Sequence, residues 1–412
     1  MRTRKQHFVS QILVGAARAI AVAAAMTFLL ATAETGPAEA QTLTVLYRFK
    51  GPTDGDGAGP FAAPTLDNRH NLYGTTESGG SSNRGTVFKI DASGSETVLY
   101  SFTGGADGDG PIGSIVIDNK GVLYSTTSGG GSSFRGTVFK LDPFGNETVL
   151  YSFTGPAEDG FLPIGSLAVD RSGNLYGVTF YGGAPSGGGL GFGTVFKVDA
   201  AGNETVLHKF AGAINGDGAT PAGGLIIDKH GTMYGTTTFG GSFDQGTVFK
   251  IDAAGNETVL YSFTGGADGF APVGSLILDQ HNNLYGTTSN GGADGWGTVF
   301  KLDPFGRKTV LYSFKGTADG DGAIPSGNLA MDNHGNLYGT TIVGGISDFG
   351  TAFKLDSSGK ETVLHRFTGP DGDGSYLQAG LVFGRHGVLY GTTRGNGGSG
   401  ISVFGTVFKV LP

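Results

Sequence analysis

Beyond residue 40 the chain is built from short stretches in which apolar and polar positions alternate, with no helical period. Residues 273–279 (Val-Gly-Ser-Leu-Ile-Leu-Asp) are apolar and close on Asp279. Residues 283–288, 297–302 and 308–314 are rich in aromatic and β-branched side chains, the composition that suits a pleated, half-buried surface. These four stretches predict four β-strands. Asp279-Gln-His-Asn and Asp303-Pro-Phe-Gly between them read as tight turns, and the other two connectors are longer and glycine-rich.

The same unit recurs. The Gly-Thr-(Val/Ala)-Phe-Lys phrase starts at Gly85, Gly136, Gly193, Gly246, Gly297, Gly350 and Gly405, six steps of about 53 residues. Four antiparallel strands in a unit of this length match a propeller blade; a β-helix coil is far shorter, and a sandwich does not repeat its sequence. The fold class expected is all-β: a seven-bladed β-propeller of four-stranded blades, formed by residues 41–412 as one domain. Thr44-Val-Leu-Tyr-Arg-Phe49 copies the fourth strand, and the last unit ends on a copy of the third at Val410. The ring is therefore expected to close by the N-terminal strand completing the last blade, which removes an open seam. Pro64 interrupts the first innermost strand, where one strand side faces the axis and needs no donor. Strand direction puts the long connectors on one face and the tight turns on the other, and function is expected on the long-loop face.

The first 40 residues change the picture of where the chain works. Arg2, Arg4 and Lys5 precede an apolar run from Ala19 to Ala33 and the small-residue pattern Ala38-Glu39-Ala40, the layout of a cleaved signal peptide over residues 1–40. The expected location is exported, periplasmic or extracellular, with no membrane span after cleavage. Losing Arg2, Arg4, Lys5 and Arg18 along with Glu34 and Glu39 takes the formal charge from −8 to −10. That acidic balance, without a basic cluster, argues against nucleic acid and anionic membrane surfaces as partners. With no cysteine there is no disulfide framework, and a chain of this size does not need one. A monomer is expected.

Candidate chemistry is sparse. Asp-Gly pairs enter the innermost strands at Asp54 and Asp56, Asp107 and Asp109, Asp217, Asp319 and Asp321, and Asp371 and Asp373, with shorter versions at Asp159 and Asp268. Two readings stand: carboxylates capping their own turns, or carboxylates converging on calcium, the one metal whose oxygen preference they suit. No other cofactor is expected. His70, His230, His281, His334 and His386 share one turn position in five blades and cannot converge, while His208 and His365 replace an outer-strand Tyr. The Lys of Gly-Thr-Val-Phe-Lys is expected to face the Glu that opens the outer strand (Glu96, Glu147, Glu204, Glu257, Glu361), and Lys308 then meets a like charge without explanation. No nucleophile stands beside a base outside the repeat pattern.

Differences between copies are more informative. The residue before Gly-Thr is Arg84, Arg135, Phe192, Gln245, Trp296, Phe349 or Phe404, and two long loops are expanded, Phe180–Phe192 with Tyr181 and Arg394–Phe404. Aromatic and Arg side chains dominate binding hot spots, and aromatic faces stack on sugars. These residues either form a binding surface or fill gaps between blades.

Asn-Leu-Tyr-Gly-Thr-Thr, Gly-Thr-Val-Phe-Lys-(Ile/Leu)-Asp and Gly-Asn-Glu-Thr-Val-Leu-Tyr-Ser-Phe together resemble the GloVer-type (choice-of-anchor) tandem repeat of exported bacterial proteins, over the whole chain past residue 40. The resemblance implies export without an assigned activity. Some members carry a C-terminal anchor; this chain shows no such tail after Leu411-Pro412, so an anchor is expected only in the N-terminal segment. The blade is loosely similar to NHL and gluconolactonase-like propellers, whose acidic ligands have no matching positions here. The function expected is a scaffold that binds a carbohydrate or protein partner through the long-loop face, leaning away from catalysis. The alternative is a propeller enzyme, a lactonase, lyase or glycan hydrolase, using loop carboxylates and a divalent cation.

Overall fold

The alternating stretches pair into seven antiparallel four-stranded sheets, the blades of a β-propeller. The computed structural model describes residues 43–155, 159–183, 189–369, 372–395 and 404–412; the segment read as a signal peptide and Asp371 lie outside them. Blades 1 to 6 span Thr65–Ser101, Val116–Ser152, Ala168–Lys209, Ile226–Ser262, Ile277–Ser313 and Ala330–Arg366. Blade 7 combines Val382–Phe383, Leu389–Thr393 and Thr406–Val410 with the N-terminal strand Thr44–Arg48. That strand pairs antiparallel to Thr406–Val410, with Thr44 opposite Lys409 and Arg48 opposite Thr406. The expected closure is present.

Each blade is built by the same contacts. In blade 5, Leu284–Thr288 pairs with Thr298–Leu302, and the facing hydroxyls of Thr288 and Thr298 lie 2.8 Å apart in the buried interior. The Gly of Gly-Thr is fixed by geometry: Gly297 has φ 99°, and a Cβ there would lie 2.5 Å from the Thr288 carbonyl and 2.6 Å from Cδ of Pro325 in the next blade's entry loop. Neighbouring blades are joined by edge-to-face phenylalanine pairs. The outer-strand Phe of one blade meets the third-strand Phe of the next in Phe102–Phe139, Phe153–Phe196, Phe210–Phe249, Phe263–Phe300, Phe314–Phe353 and Phe367–Phe408, with centroids 5.0 to 5.2 Å apart. Phe49 of the N-terminal strand makes the seventh pair with Phe88 at 5.0 Å. Each such pair adds about 1 kcal/mol beyond the area it buries.

Two expectations need correction. The innermost strand is shorter than residues 273–279: only Ile277 and Leu278 pair along the blade. The preceding residues bond across blades near the axis instead, where Gly224 N donates to Ser275 Oγ at 2.7 Å and Ser275 N donates to Asn328 Oδ1 at 2.8 Å. Pro64 precedes the Thr65–Leu66 ladder and takes no position in it. The register of the outer hairpin is also one residue away from the expected one. Lys89 faces Thr97, and Glu96 faces Ile90, so the Lys–Glu cross-strand pair does not form. A slip of one residue turns a side chain to the other face of the sheet. Lys89, Lys197, Lys301 and Lys354 instead lie 5.6 to 5.9 Å from the ring centres of Tyr73, Tyr176, Tyr285 and Tyr338.

Candidate functional site

The long-loop face carries the residues that vary between copies. Each variable residue before Gly-Thr rests on a loop glycine of its own blade: Arg84 on Gly104, Arg135 on Gly155, Phe192 on Gly212, Gln245 on Gly265, Trp296 on Gly316, Phe349 on Gly369 and Phe404 on Gly51. One flank is thus spent on the scaffold and the other faces outward; Trp296 remains 44% exposed and Phe192 42%. Being one to a blade, the set is distributed around the ring. Local groupings do form. Arg84 Nη1 donates to Asp109 Oδ2 at 2.9 Å. The Arg135 guanidinium lies 4.9 Å from the Phe161 ring, which stacks on Tyr181 at 5.4 Å.

The closing seam between blades 7 and 1 differs from the rest. Here a cavity of about 590 Å³ opens on the long-loop face, lined by Phe404, Tyr376, Gln378 and Arg394 from blade 7 and by Glu77, Ser78 and Asn83 from blade 1. Its size is that of a small-molecule pocket. Arg394 donates through Nη2 to Glu77 Oε2 at 2.6 Å while its guanidinium lies 5.4 Å from the Phe61 ring. Tyr376 stands at φ 59° and its carbonyl accepts from Arg394 N at 3.2 Å, which ties pocket wall to pocket wall. Gln378 Oε1 is buried without a hydrogen-bond partner among the described residues. Aromatic faces, a charged donor, a charged acceptor and a carbonyl with spare capacity converge there.

The Asp-Gly carboxylates lie away from the axis. In each blade one of them closes the loop that follows the outer strand. Asp56 Oδ2 accepts from Tyr47 Oη and Lys50 N, both at 2.8 Å, and Oδ1 accepts from Gly57 N. Asp107, Asp159, Asp217, Asp268, Asp321 and Asp373 do the equivalent with Tyr100, Tyr151, His208, Tyr261, Tyr312 and His365. Their companions Asp54 and Asp319 are exposed, and Asp109 is taken by Arg84. The axial cavity, about 80 Å³, is lined by Gly, Ala, Ser, Ile and amide side chains, with no carboxylate among the described residues.

In five blades the Glu that opens the outer strand faces the loop Asp of the preceding blade. Burial and then the charge of that Asp push Glu96, Glu147, Glu204, Glu257 and Glu361 up to about 7. This explains Lys308, for which the sequence offered no partner. It occupies the Glu position of blade 5, is 2% exposed, and places Nζ 2.7 Å from Asp268 Oδ1. A cation there takes the place that a carboxyl holds in five other seams.

Phe134 (73% exposed), Phe243 (57%) and Ile346 (81%), outside the set expected from the sequence, project from the loops between second and third strands. Their signal in the sequence is variation along the whole loop, not only at the residue before Gly-Thr. Grooves of about 670 and 550 Å³ lie between blades 1 and 2 and blades 2 and 3 on the tight-turn face. They recur with the repeat and are lined by turn-capping Asp67, Asp118 and Asp170, so they belong to the scaffold.

The sequence matches the family described as the Gloeobacter/Verrucomicrobia repeat over residues 34–190 and 179–408. Among curated proteins, none matches it. Of solved structures, the extracellular domain of a one-component system from B. thetaiotaomicron aligns at TM-score 0.55 and 11% identity, covering 88% of this chain and 40% of that one. A puromycin hydrolase mutant complexed with PGG aligns at 0.56 and 14%, covering 82% and 50%. The chain thus spans half or less of the length of these two proteins. A gluconolactonase-family protein aligns at 0.43 and 14%, covering 80% and 96%. At such identities the likeness to the first two is one of fold. Among the described residues, no helix is long and apolar enough to cross a membrane.

Proposed function

The chain belongs to the Gloeobacter/Verrucomicrobia repeat family, and from that premise we propose that it is an exported propeller scaffold that binds a carbohydrate in the pocket at its closing seam. The observation that carries the reading is the convergence of Tyr376, Phe404, Arg394, Glu77, Asn83 and Gln378 on one cavity. Sugars present an apolar C–H face and a rim of hydroxyls, which matches aromatic walls with fixed donors and acceptors. The N-terminal pattern of residues 1–40 supports export. An enzymatic reading is less well supported, because one loop carboxylate of each blade closes its own loop and no Asp of the Asp-Gly loops lines the pocket.

A second reading, a protein partner, is favoured by the exposed Phe134, Phe243 and Trp296 on the same face. A glycan array probed with and without calcium separates the two. Arrayed glycans are expected to bind in both conditions, and Arg394→Ala and Phe404→Ala to weaken the hits at least about tenfold, the scale of one lost charged or aromatic contact. Hits unchanged in both variants would remove the pocket from the account, and loss confined to Trp296→Ala would move the site to blade 5.

A further inference from the structure

The seven seams between blades form an internal series. Each combines a ring on one outer strand, the loop Asp after it, and the residue that opens the next outer strand. The ring is Tyr47, Tyr100, Tyr151, Tyr261 or Tyr312 in five seams and His208 or His365 in two. The opening residue is Glu in five seams, Lys308 in one, and Leu43 where the N-terminal strand closes the ring. Among the described residues, the seam between blades 3 and 4 is the one that joins an imidazole to both carboxylates: donor atoms of His208, Asp217 and Glu257 all lie within 4.8 Å of one another.

The geometry there suits a metal ion. His208 Nε2 and Asp217 Oδ2 are 3.2 Å apart. Two ligands on a tetrahedral zinc ion, each about 2.0–2.1 Å from the metal, lie roughly 3.3 Å from each other. Asp217 is already oriented, since Oδ2 accepts from Ala211 N at 2.8 Å and Oδ1 from Gly218 N at 2.6 Å. Glu257 Oε1 is buried and takes no hydrogen bond. The adjacent seam supplies an independent sign of what this position takes. There Lys308 delivers an ammonium group, 2.7 Å from Asp268 Oδ1, to the place equivalent to the Glu257 carboxyl. The fold accepts a cation at this point, and at His208 it offers three ligand groups without a tethered one.

We propose that the seam between blades 3 and 4 is a divalent transition-metal site, with His208 Nε2 and the carboxylates of Asp217 and Glu257 as ligands and a fourth position open to water. The nitrogen ligand and the low ligand number select a zinc-class ion over calcium, which takes six to eight oxygens. The ion would clamp blade 3 to blade 4 as Lys308 clamps blade 5 to the loop after blade 4. The proposal is independent of the pocket at the closing seam.

Untagged protein, stripped with chelator, is titrated with Co²⁺ followed by visible absorption, and with Zn²⁺ and Ca²⁺ as competitors. The expected result is one Co²⁺ per chain with tetrahedral d–d bands, displaced by Zn²⁺ and untouched by equal Ca²⁺. His208→Tyr restores the side chain of the five Tyr seams, so folding is retained, and it should weaken the ion by at least roughly tenfold, as should Glu257→Gln, since even outer-shell changes act on that scale. His365→Tyr should bind as the wild type does. Absence of the bands in the wild type, equal binding by His208→Tyr, equal loss in His365→Tyr, or displacement by Ca²⁺ would each overturn the assignment.

Discussion

Phe134 is held in the left-handed backbone region at φ 55° although its ring is 73% exposed. The equivalent residues in blades 1, 4 and 6 are Asn83, Asp244 and Asp348, whose side chains accept from Gly79 N, Gly240 N and Gly344 N at 2.8 to 2.9 Å. A bulky side chain in that region costs on the order of 1 kcal/mol or more, and here it gains neither a hydrogen bond nor burial. Phe134→Asn is therefore expected to raise stability by about 1 kcal/mol in thermal or denaturant melts. A neutral or destabilising outcome would show that the ring is supported by contacts other than those described. Lys308 makes the opposite case. Its ammonium is enclosed with Asp268, so Lys308→Ala should cost about 3 kcal/mol, the lower end for breaking a buried pair, because Asp268 keeps Tyr261 Oη and Thr264 N as donors.

At the scale of strands and seams, stability is linked to pH. The carboxyls of Glu96, Glu147, Glu204 and Glu361 titrate at about 7 in the fold, above their unfolded value, because burial and a neighbouring Asp favour the protonated form. The folded state then binds more protons than the unfolded state between about pH 4.5 and 7, so stability falls as pH rises through that window. On the acid side, hydrogen bonds from Asn146, Asn203 and Asn256 hold Asp142, Asp199 and Asp252 below the usual carboxylate range, and that stabilisation is lost as pH falls through their folded values. A higher Tm at about pH 5 than at pH 8 is expected, with the difference reduced when the four Glu are changed to Gln. A flat profile in the wild type would contradict the seam description. The strands themselves were legible from alternation, and the Tyr, Phe and Gly of each phrase from repetition. The seam was not. Glu96 and Asp56 lie 40 residues apart in neighbouring blades, and the outer hairpin's five-residue connection shifts the register by one, which sequence spacing alone does not reveal. The same holds for Arg394 and Glu77, which are separated by 317 positions and meet because the ring closes.

For the whole molecule, closure rests on the N-terminal strand. Phe49→Ala removes the seventh Phe pair and should cost about 3–5 kcal/mol, as for a fully packed aromatic, measured as a fall in Tm. A loss below 1 kcal/mol would mean that the ring does not depend on this seam. The closing seam also departs from the repeat, with Tyr376 and Arg394 in positions that other blades fill differently. Binding is placed at this departure from the repeat and on this face. Isothermal titration of one array-selected glycan against wild type, Phe404→Ala on the long-loop face and Phe305→Ala on the tight-turn face tests it directly, since Phe305 is 84% exposed and its removal leaves the core intact. Affinity is expected to fall at least about tenfold in Phe404→Ala and to stay unchanged in Phe305→Ala; the reverse pattern would place binding on the tight-turn face.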